Sequence, residues 1–310
     1  MQLTSDTTDI KLPMQLEIIP SPYSKTLPAP PGGYGPCTVP RLETLATTGD
    51  DDAIIERNGF AVHLADTPGH HRQAKVLIDR MYAWRGYRRE DSPPAVCDSL
   101  QSAHARPPAR TTLLACSGTQ ALGTLTLNID NGGGLLADHL YRREIDAYRQ
   151  KGKRICELTG FAVDLRTGSK ELLAALFHLL YIAGRRLYRV SDVFIEVNPR
   201  HVAFYQSQLG FRQAGESRMC ERVDAPATLL HAGIDYIEAQ IAHLAGQREL
   251  SRRSLYPYFF TRSEEEECGR RLLAAQARER RRATGPQEFR FSRPGAAHRP
   301  PASARLAVPA

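Results

Sequence analysis

A carboxylate inside an apolar strand is the residue of this sequence with the most direct chemical use. Glu157 lies in the run Ile155-Cys156-Glu157-Leu158-Thr159-Gly160-Phe161-Ala162-Val163-Asp164. Burial there would raise its pKa and make it a usable general base near neutral pH. The same residue also fits an edge-strand carboxylate paired with Arg154. A second feature is the turn holding Arg166, Gly168, Ser169 and Lys170, directly before a long apolar stretch. Free amides at a helix N-terminus, with the helix dipole behind them, suit a phosphate, so these four residues are candidate cofactor-phosphate ligands. His70 and His71 suggest no metal site, because neighbours on a helix point about 100° apart and no acidic or Cys residue accompanies them in the sequence.

Such groups need rigid elements to aim them. Phe60 to Leu64 reads as a strand, and Ala74, Leu77, Ile78, Met81 and Tyr82 recur at helical spacing after Thr67-Pro68-Gly69. After a Pro-rich loop around Pro93 and Pro107, Thr111 to Cys116 and Ala121 to Ile129 read as a hairpin. Its second strand alternates Gly123, Leu125, Leu127 and Ile129 with Thr124, Thr126 and Asn128, which assigns one face to the core and leaves the other for function. An amphipathic helix from Ala137 to Gln150 precedes the Glu157 strand, and an apolar helix from Lys170 to Arg186 follows it. Val190 to Val197 reads as a strand with Val193, Ile195 and Val197 inward. Asn198-Pro199 then opens a short helix that ends at Gly210, an N-cap, first-turn proline and C-terminal glycine in their preferred places. A last amphipathic helix is expected over Ala227 to Ala245. This order predicts an α/β fold around a mixed central sheet.

Composition bounds the rest. The 310 residues carry a net charge of +7, which suits an acidic partner. Much of that excess is in an Arg-rich segment from 251 to 310, read as a solvated, disordered tail rather than a nucleic-acid arm. The Pro/Gly-rich segment 1–56 is expected to be largely disordered as well, leaving 57–250 as the folded domain. The six cysteines form no C-x-x-C pair and are expected as free thiols. No run reaches the roughly 18 to 20 apolar residues of a membrane span, and no secretory signal opens the chain, which gives an expectation of a cytoplasmic protein.

The segment from Glu196 through Asn198, Tyr205 and Gly210-Phe211 resembles the closing motif of Gcn5-related (GNAT) acyltransferases. Together with Glu157 to Asp164 and Arg85-Gly86-Tyr87, it resembles the long-chain N-acyl amino acid synthases (FeeM-like), relatives of the acyl-homoserine lactone synthases. The resemblance covers about 57–250. It implies a GNAT-like, mostly antiparallel central sheet flanked by helices, and an N-acyltransferase that moves a medium or long fatty acyl group to the amino group of an amino acid.

The donor so implied is an acyl-phosphopantetheine thioester on acyl carrier protein, or acyl-CoA, with no permanently bound cofactor. Acyl carrier proteins are acidic, so Arg142, Arg143, Arg149, Lys151, Lys153 and Arg154, the densest basic patch of the domain, are nominated for carrier docking, although a solvated helix face has the same composition. In this family likeness the Glu157 strand offers backbone amides to the thioester and Glu157 takes the amine's proton. Tyr205 corresponds to a thiol-protonating or cofactor-contacting tyrosine, or to a packing aromatic, and Asn198 to a cofactor contact. Arg72, Tyr82, Trp84 and Arg85 correspond to the substrate entrance, with Trp84 alternatively a loop anchor. Phe161 contacts substrate, and Leu125, Leu127, Phe161, Leu176, Phe177 and Leu180 suit either an acyl tunnel or an ordinary core. The lactone synthases have Arg where this chain has Gly160, and the GNAT phosphate-turn pattern is only partly matched. An acetyl-CoA-dependent acetyltransferase, or a non-catalytic basic binding protein on the same scaffold, are the alternatives.

Overall fold

Alternating burial builds the first half of the sheet. β1 (Ile55–Arg57) and β2 (Phe60–Leu64) pair as a hairpin, and β2 buries every second side chain. Helix α1 (Pro68–Trp84) follows, then the hairpin of β3 (Arg110–Ser117) and β4 (Gln120–Ile129). The chain continues through α2 (Asp138–Arg149), β5 (Ile155–Val163), α3 (Lys170–Ile182), β6 (Asp192–Val197) and α4 (Val202–Leu209). Short strands β7 (Arg212–Gln213) and β8 (Arg218–Cys220) lead to β9 (Ala225–Gly233), α5 (Ile234–Leu244) and α6 (Arg262–Ala283). This computed structural model describes residues 52–84, 86, 109–164, 168–250 and 253–283.

The strands run in the order β1-β2-β3-β4-β5-β6-β9-β7, with β8 on β9, and among the described strands only β5 and β6 are parallel neighbours. Helix α3 covers one face. Every residue from Leu172 to Leu180 is buried, because the sheet takes one side of the helix and the C-terminal segment the other. Helix α1 lies on the opposite face over β4 and β5, and beside it α2 packs Tyr141 and Ile145 on Phe194 and Leu229. The α4 region is built from its caps as expected. Asn198 accepts the Arg200 N–H at 3.2 Å, Pro199 begins a 3-10 turn, and Gly210 ends α4 at φ 73°, with the Tyr236 ring where a Cβ would stand.

Four expectations need correction. Residues 227–233 are strand, not helix: β9 pairs with β6 along its length, with Leu229 in one core cluster and Leu230 in the other. A strand buried on both faces shows no alternation, so its apolar run imitated a helix stripe. The segment after 250 is not a disordered tail through 283. Leu255, Tyr256, Phe259 and Phe260 are each at most 3% exposed, and α6 buries Cys268, Leu272 and Ala275 at helical spacing. Its charges pair along the outer face, as with Arg271 and Glu267 at 2.8 Å, so high Arg content marks a wet helix face here. Order also begins before residue 57, since Ala53 and Ile54 are buried and Arg278 of α6 meets Asp52 at 3.0 Å. Finally, α3 ends at Ile182 and passes into a π turn over Ala183–Leu187, short of Arg186 as a regular α-helix. Expectations for residues 1–51, the Pro93 and Pro107 loop and 284–310 lie outside the described residues.

Candidate active site

Two parallel strands that part company form the centre of the site. β5 and β6 stay in register from Ile155–Asp192 to Leu158–Ile195, and beyond that pair β5 continues to Val163 and β6 to Val197 without pairing with each other. On its other side β5 bulges. Thr126 opposes Thr159 and Thr124 opposes Ala162, so Gly160 and Phe161 together face Leu125. Gly160 takes φ +60°, and a Cβ there would lie 3.2 Å from Ile78 Cδ1 of α1. Only glycine fits both demands cheaply. Bulge and splay together leave β5 amides outside the ladders, where a carbonyl oxygen can be held.

Glu157 stands just before this opening and is 1% exposed. Its carboxylate accepts the Leu136 N–H at 2.8 Å and the Ala137 N–H at 3.1 Å, at the start of α2. Burial pushes its pKa up to about 8; the charge of Glu196 adds to this, while the two amides and Arg222 act against it. Strand β5 is central, so the edge-strand alternative and its pairing with Arg154 do not hold. The loop that delivers the two amides is fastened by Arg149, which bonds Asp138 at 2.7 Å and Asp146 at 2.6 Å, and also Asp130. Arg149, one of the residues nominated for carrier docking, is thus engaged by three carboxylates of its own chain.

Glu157 belongs to a row that crosses the sheet on the α1/α2 face: Arg110, Asn128, Glu157, Phe194, His231. Arg110 donates from Nε to Asn128 Oδ1 at 3.1 Å, and Asn128 donates to Thr159 Oγ1 at 2.7 Å. Thr112 and Thr126 share a hydrogen bond of 3.0 Å nearby. Glu196 of β6 pairs with Arg222 at 3.1 Å, yet its other oxygen is buried without a hydrogen-bond partner, and burial raises its pKa. This face thus presents two buried carboxylates and a guanidinium around one polar patch. Reading the sequence flagged the Thr126 and Asn128 face but missed Arg110, Thr159 and Glu196. The pairing register that brings them together depends on strands 18 and 31 residues apart.

The other sequence candidates divide. Ser169 caps α3, accepting the Leu172 N–H at 3.1 Å, with Gly168 and Lys170 beside it and Lys170 Nζ 5.5 Å from the Tyr258 ring centre. Arg166 and Arg85 lie outside the described residues. Phe161 and Tyr205 both pack on Phe177, with ring centres 5.4 and 6.4 Å away, and Tyr205 is buried next to Phe211. Tyr82 and Trp84 are on the half of α1 that crosses the bulge, Trp84 65% exposed, whereas exposed Arg72 is on the other half. The basic patch is not brought to the phosphate turn. Lys151, Lys153 and Arg154 precede β5 at its paired end, about 26 Å of strand from Val163. Lys153 lies 3.8 Å from Asp192, Arg142 lies 3.6 Å from Asp146, and Lys151 sits over the Tyr148 ring. Against the expected lack of an acidic neighbour, Asp66 is 3.4 Å from His70, although no group of three or more metal-binding side chains forms among the described residues.

On the α3 face, where the strands begin to part, an apolar cavity of about 40 Å³ lies beside Leu158. Leu127, Phe177 and Leu180 line it as expected, but Leu125 and Leu176 are buried elsewhere in the core.

The sequence profile of N-acyl amino acid synthase FeeM matches residues 73–233, just over half of the chain. The solved structure of FeeM, an N-acyl amino acid synthase from uncultured soil microbes, is 26% identical. It superposes with a TM-score of 0.50 over 58% of this chain and 93% of that one. The acyl-homoserine lactone (AHL) synthase LasI is 11% identical, with a TM-score of 0.41 over 57% of this chain and 91% of that one. An acyl-CoA N-acyltransferase from Pseudomonas aeruginosa is 14% identical, with a TM-score of 0.37 over 56% and 97%. No curated protein sequence matches the chain. With the FeeM profile spanning the splayed strands, the bulge and Glu157, the chain belongs to the FeeM N-acyl amino acid synthase family and is an N-acyltransferase of the GNAT fold.

Proposed function

We propose that this enzyme transfers a medium or long fatty acyl group from an acyl carrier protein thioester to the α-amine of an amino acid. The observation that carries the proposal is Glu157, a fully buried carboxylate with a pKa near neutral at the mouth of the strand opening. The amino acid enters on the α1/α2 face, with its carboxylate on Arg110 and its ammonium toward Glu157. Glu157 removes one proton, and the nitrogen attacks the thioester carbonyl carbon. The oxyanion is held by β5 amides at the bulge, and the C–S bond breaks as the C–N bond becomes an amide. The nitrogen gives up its second proton as the C–S bond breaks, and Tyr205 passes a proton to the departing thiolate while taking that one up, so the tyrosine ends as it began.

The acyl tail lies in the apolar cavity beyond Leu158, and the phosphate of the pantetheine arm meets the α3 N-terminus at Gly168, Ser169 and Lys170. Carrier docking therefore moves to the open end of β5 and β6, where Lys170 and exposed Arg200 supply positive charge, away from Lys151 to Arg154.

The test is a comparison of donors: purified full-length protein is given an amino acid pool with acyl carrier protein, CoA bearing the same acyl chain, or acetyl-CoA, and thiol release is followed. A carrier-dependent rate supports the proposal. Release from acetyl-CoA alone supports the acetyltransferase reading instead, and no release from any donor supports a binding role.

A further inference from the structure

The cavity beside Leu158 is closed by residues from outside the family-matched region. The FeeM profile ends at residue 233, yet Tyr256 and Phe259, in the turn that precedes α6, form part of the cavity wall. The opposing walls are Leu158, Cys156 and Val193 of the sheet and Phe177 and Leu180 of α3. Leu158 is the last residue of β5 paired with β6, so the cavity, which runs under the paired residues Cys156 and Val193, reaches the point where the strands separate.

The turn is fastened on all sides. The Leu255 N–H donates to Gln208 O at 3.0 Å and Tyr256 Oη to Leu209 O at 2.8 Å. The Phe260 N–H donates to His178 Nδ1 at 2.9 Å, and the His178 ring stacks on Phe259 and Phe260 with centres 4.6 and 4.8 Å apart. His178 Nε2 faces Glu265 of α6 at 3.4 Å, and Arg186 meets the same carboxylate at 3.2 Å. A wall anchored by five hydrogen-bonding or ionic contacts does not yield freely to a longer ligand. The space inside, about 40 Å³, holds roughly three water-sized groups, enough for the end of an alkyl chain and no more.

We infer that this C-terminal aromatic turn is the length gauge of the acyl site, with Tyr256 and Phe259 as the end wall that sets how many methylenes are accepted. The inference rests on the acyl-transfer reading and adds its specificity determinant. The substrate class it selects is an acyl chain whose terminal methyl reaches the Phe259 ring, with longer chains rejected by the wall.

The experiment measures kcat/KM of the full chain over a graded series of acyl-chain lengths, for wild type, Phe259→Ala, Phe259→Leu and Leu273→Ala. Phe259→Leu retains most of the packing where the alanine variant loses too much of it. Leu273 is 49% exposed on α6 and serves as a control on the same segment. Shortening Phe259 is expected to move the optimum to longer chains, each newly buried methylene raising kcat/KM about fourfold, while Leu273→Ala keeps the wild-type profile. Product formed with an unchanged profile in both Phe259 variants overturns the length gauge and leaves the acyl-transfer reading intact, as does an equal shift in Leu273→Ala. No N-acyl product from wild type at any chain length removes both.

Discussion

Replacing Glu157 by Gln separates two consequences of one buried carboxyl. As a base that accepts the amine's proton, Glu157 contributes on the order of 10²- to 10⁴-fold to kcat/KM. With a pKa of about 8, only about a tenth of it is ionised at pH 7. The ratio of wild-type to Glu157→Gln kcat/KM therefore rises about tenfold per pH unit below 8 and levels above it, because the acceptor amine's own titration cancels between the two enzymes. Stability moves the other way. Between the ordinary value of 4.5 and about 8, the unfolded chain releases this proton and the folded protein keeps it. Folding stability from this group is fully present at low pH and is lost as pH rises through that window, by about 5 kcal/mol at most. Gln cannot ionise, so its variant lacks this slope, although its amide faces one of the Leu136 and Ala137 N–H donors and forfeits a hydrogen bond worth about 1 to 3 kcal/mol. Steady-state rates from pH 6 to 9 and urea melts over pH 5 to 8 measure both. A Gln variant with near-normal kcat/KM and a flat ratio across pH would refute the base assignment.

Three further outcomes follow from the same geometry. Arg110→Met raises KM for the amino acid about ten- to a hundredfold, the worth of a charge-assisted bond, and leaves KM for the acyl donor unchanged; equal effects on both substrates would remove Arg110 from the acceptor site. Gly160→Arg forces a side chain into φ +60° against Ile78 and lowers stability by about 1 to 3 kcal/mol in a thermal or urea melt, so an unchanged Tm would show that the bulge is relaxed. Lys170→Glu with Arg200→Glu raises KM for acyl carrier protein while Lys151→Glu with Lys153→Glu does not, and the reverse pattern would return docking to the paired end of β5.

What the sequence could express depended on how local the determinant was. The α4 region was legible because Asn198, Pro199 and Gly210 each fix a cap within a few residues. The polar face of β4 was legible from alternation alone, and the burial of Glu157 from its apolar neighbours. Arg110 was not, since nothing within β3 states that it lies opposite Asn128, which in turn lies opposite Glu157. Strand β9 was lost to a helix pattern because both its faces are buried. The C-terminal turn was lost to composition. Arg dominates the count, but Leu255, Tyr256, Phe259 and Phe260 set the structure because apolar burial outweighs exposed ion pairs. The basic patch was legible as a dense run of cations, but not the carboxylates that approach Arg149, Lys153 and Arg142 from other positions of the chain.

The central claim is that an amino acid nitrogen attacks a fatty acyl thioester at the opening beside Glu157. Its most direct test is a single-turnover reaction of full-length enzyme with acyl carrier protein bearing one fatty chain and an isotope-labelled amino acid pool, with products resolved by mass. The account predicts one free thiol per N-acyl amino acid, the label in amide linkage to the chain. Thiol release that yields only free fatty acid, or an acyl group attached to the enzyme with no labelled amide, would contradict it.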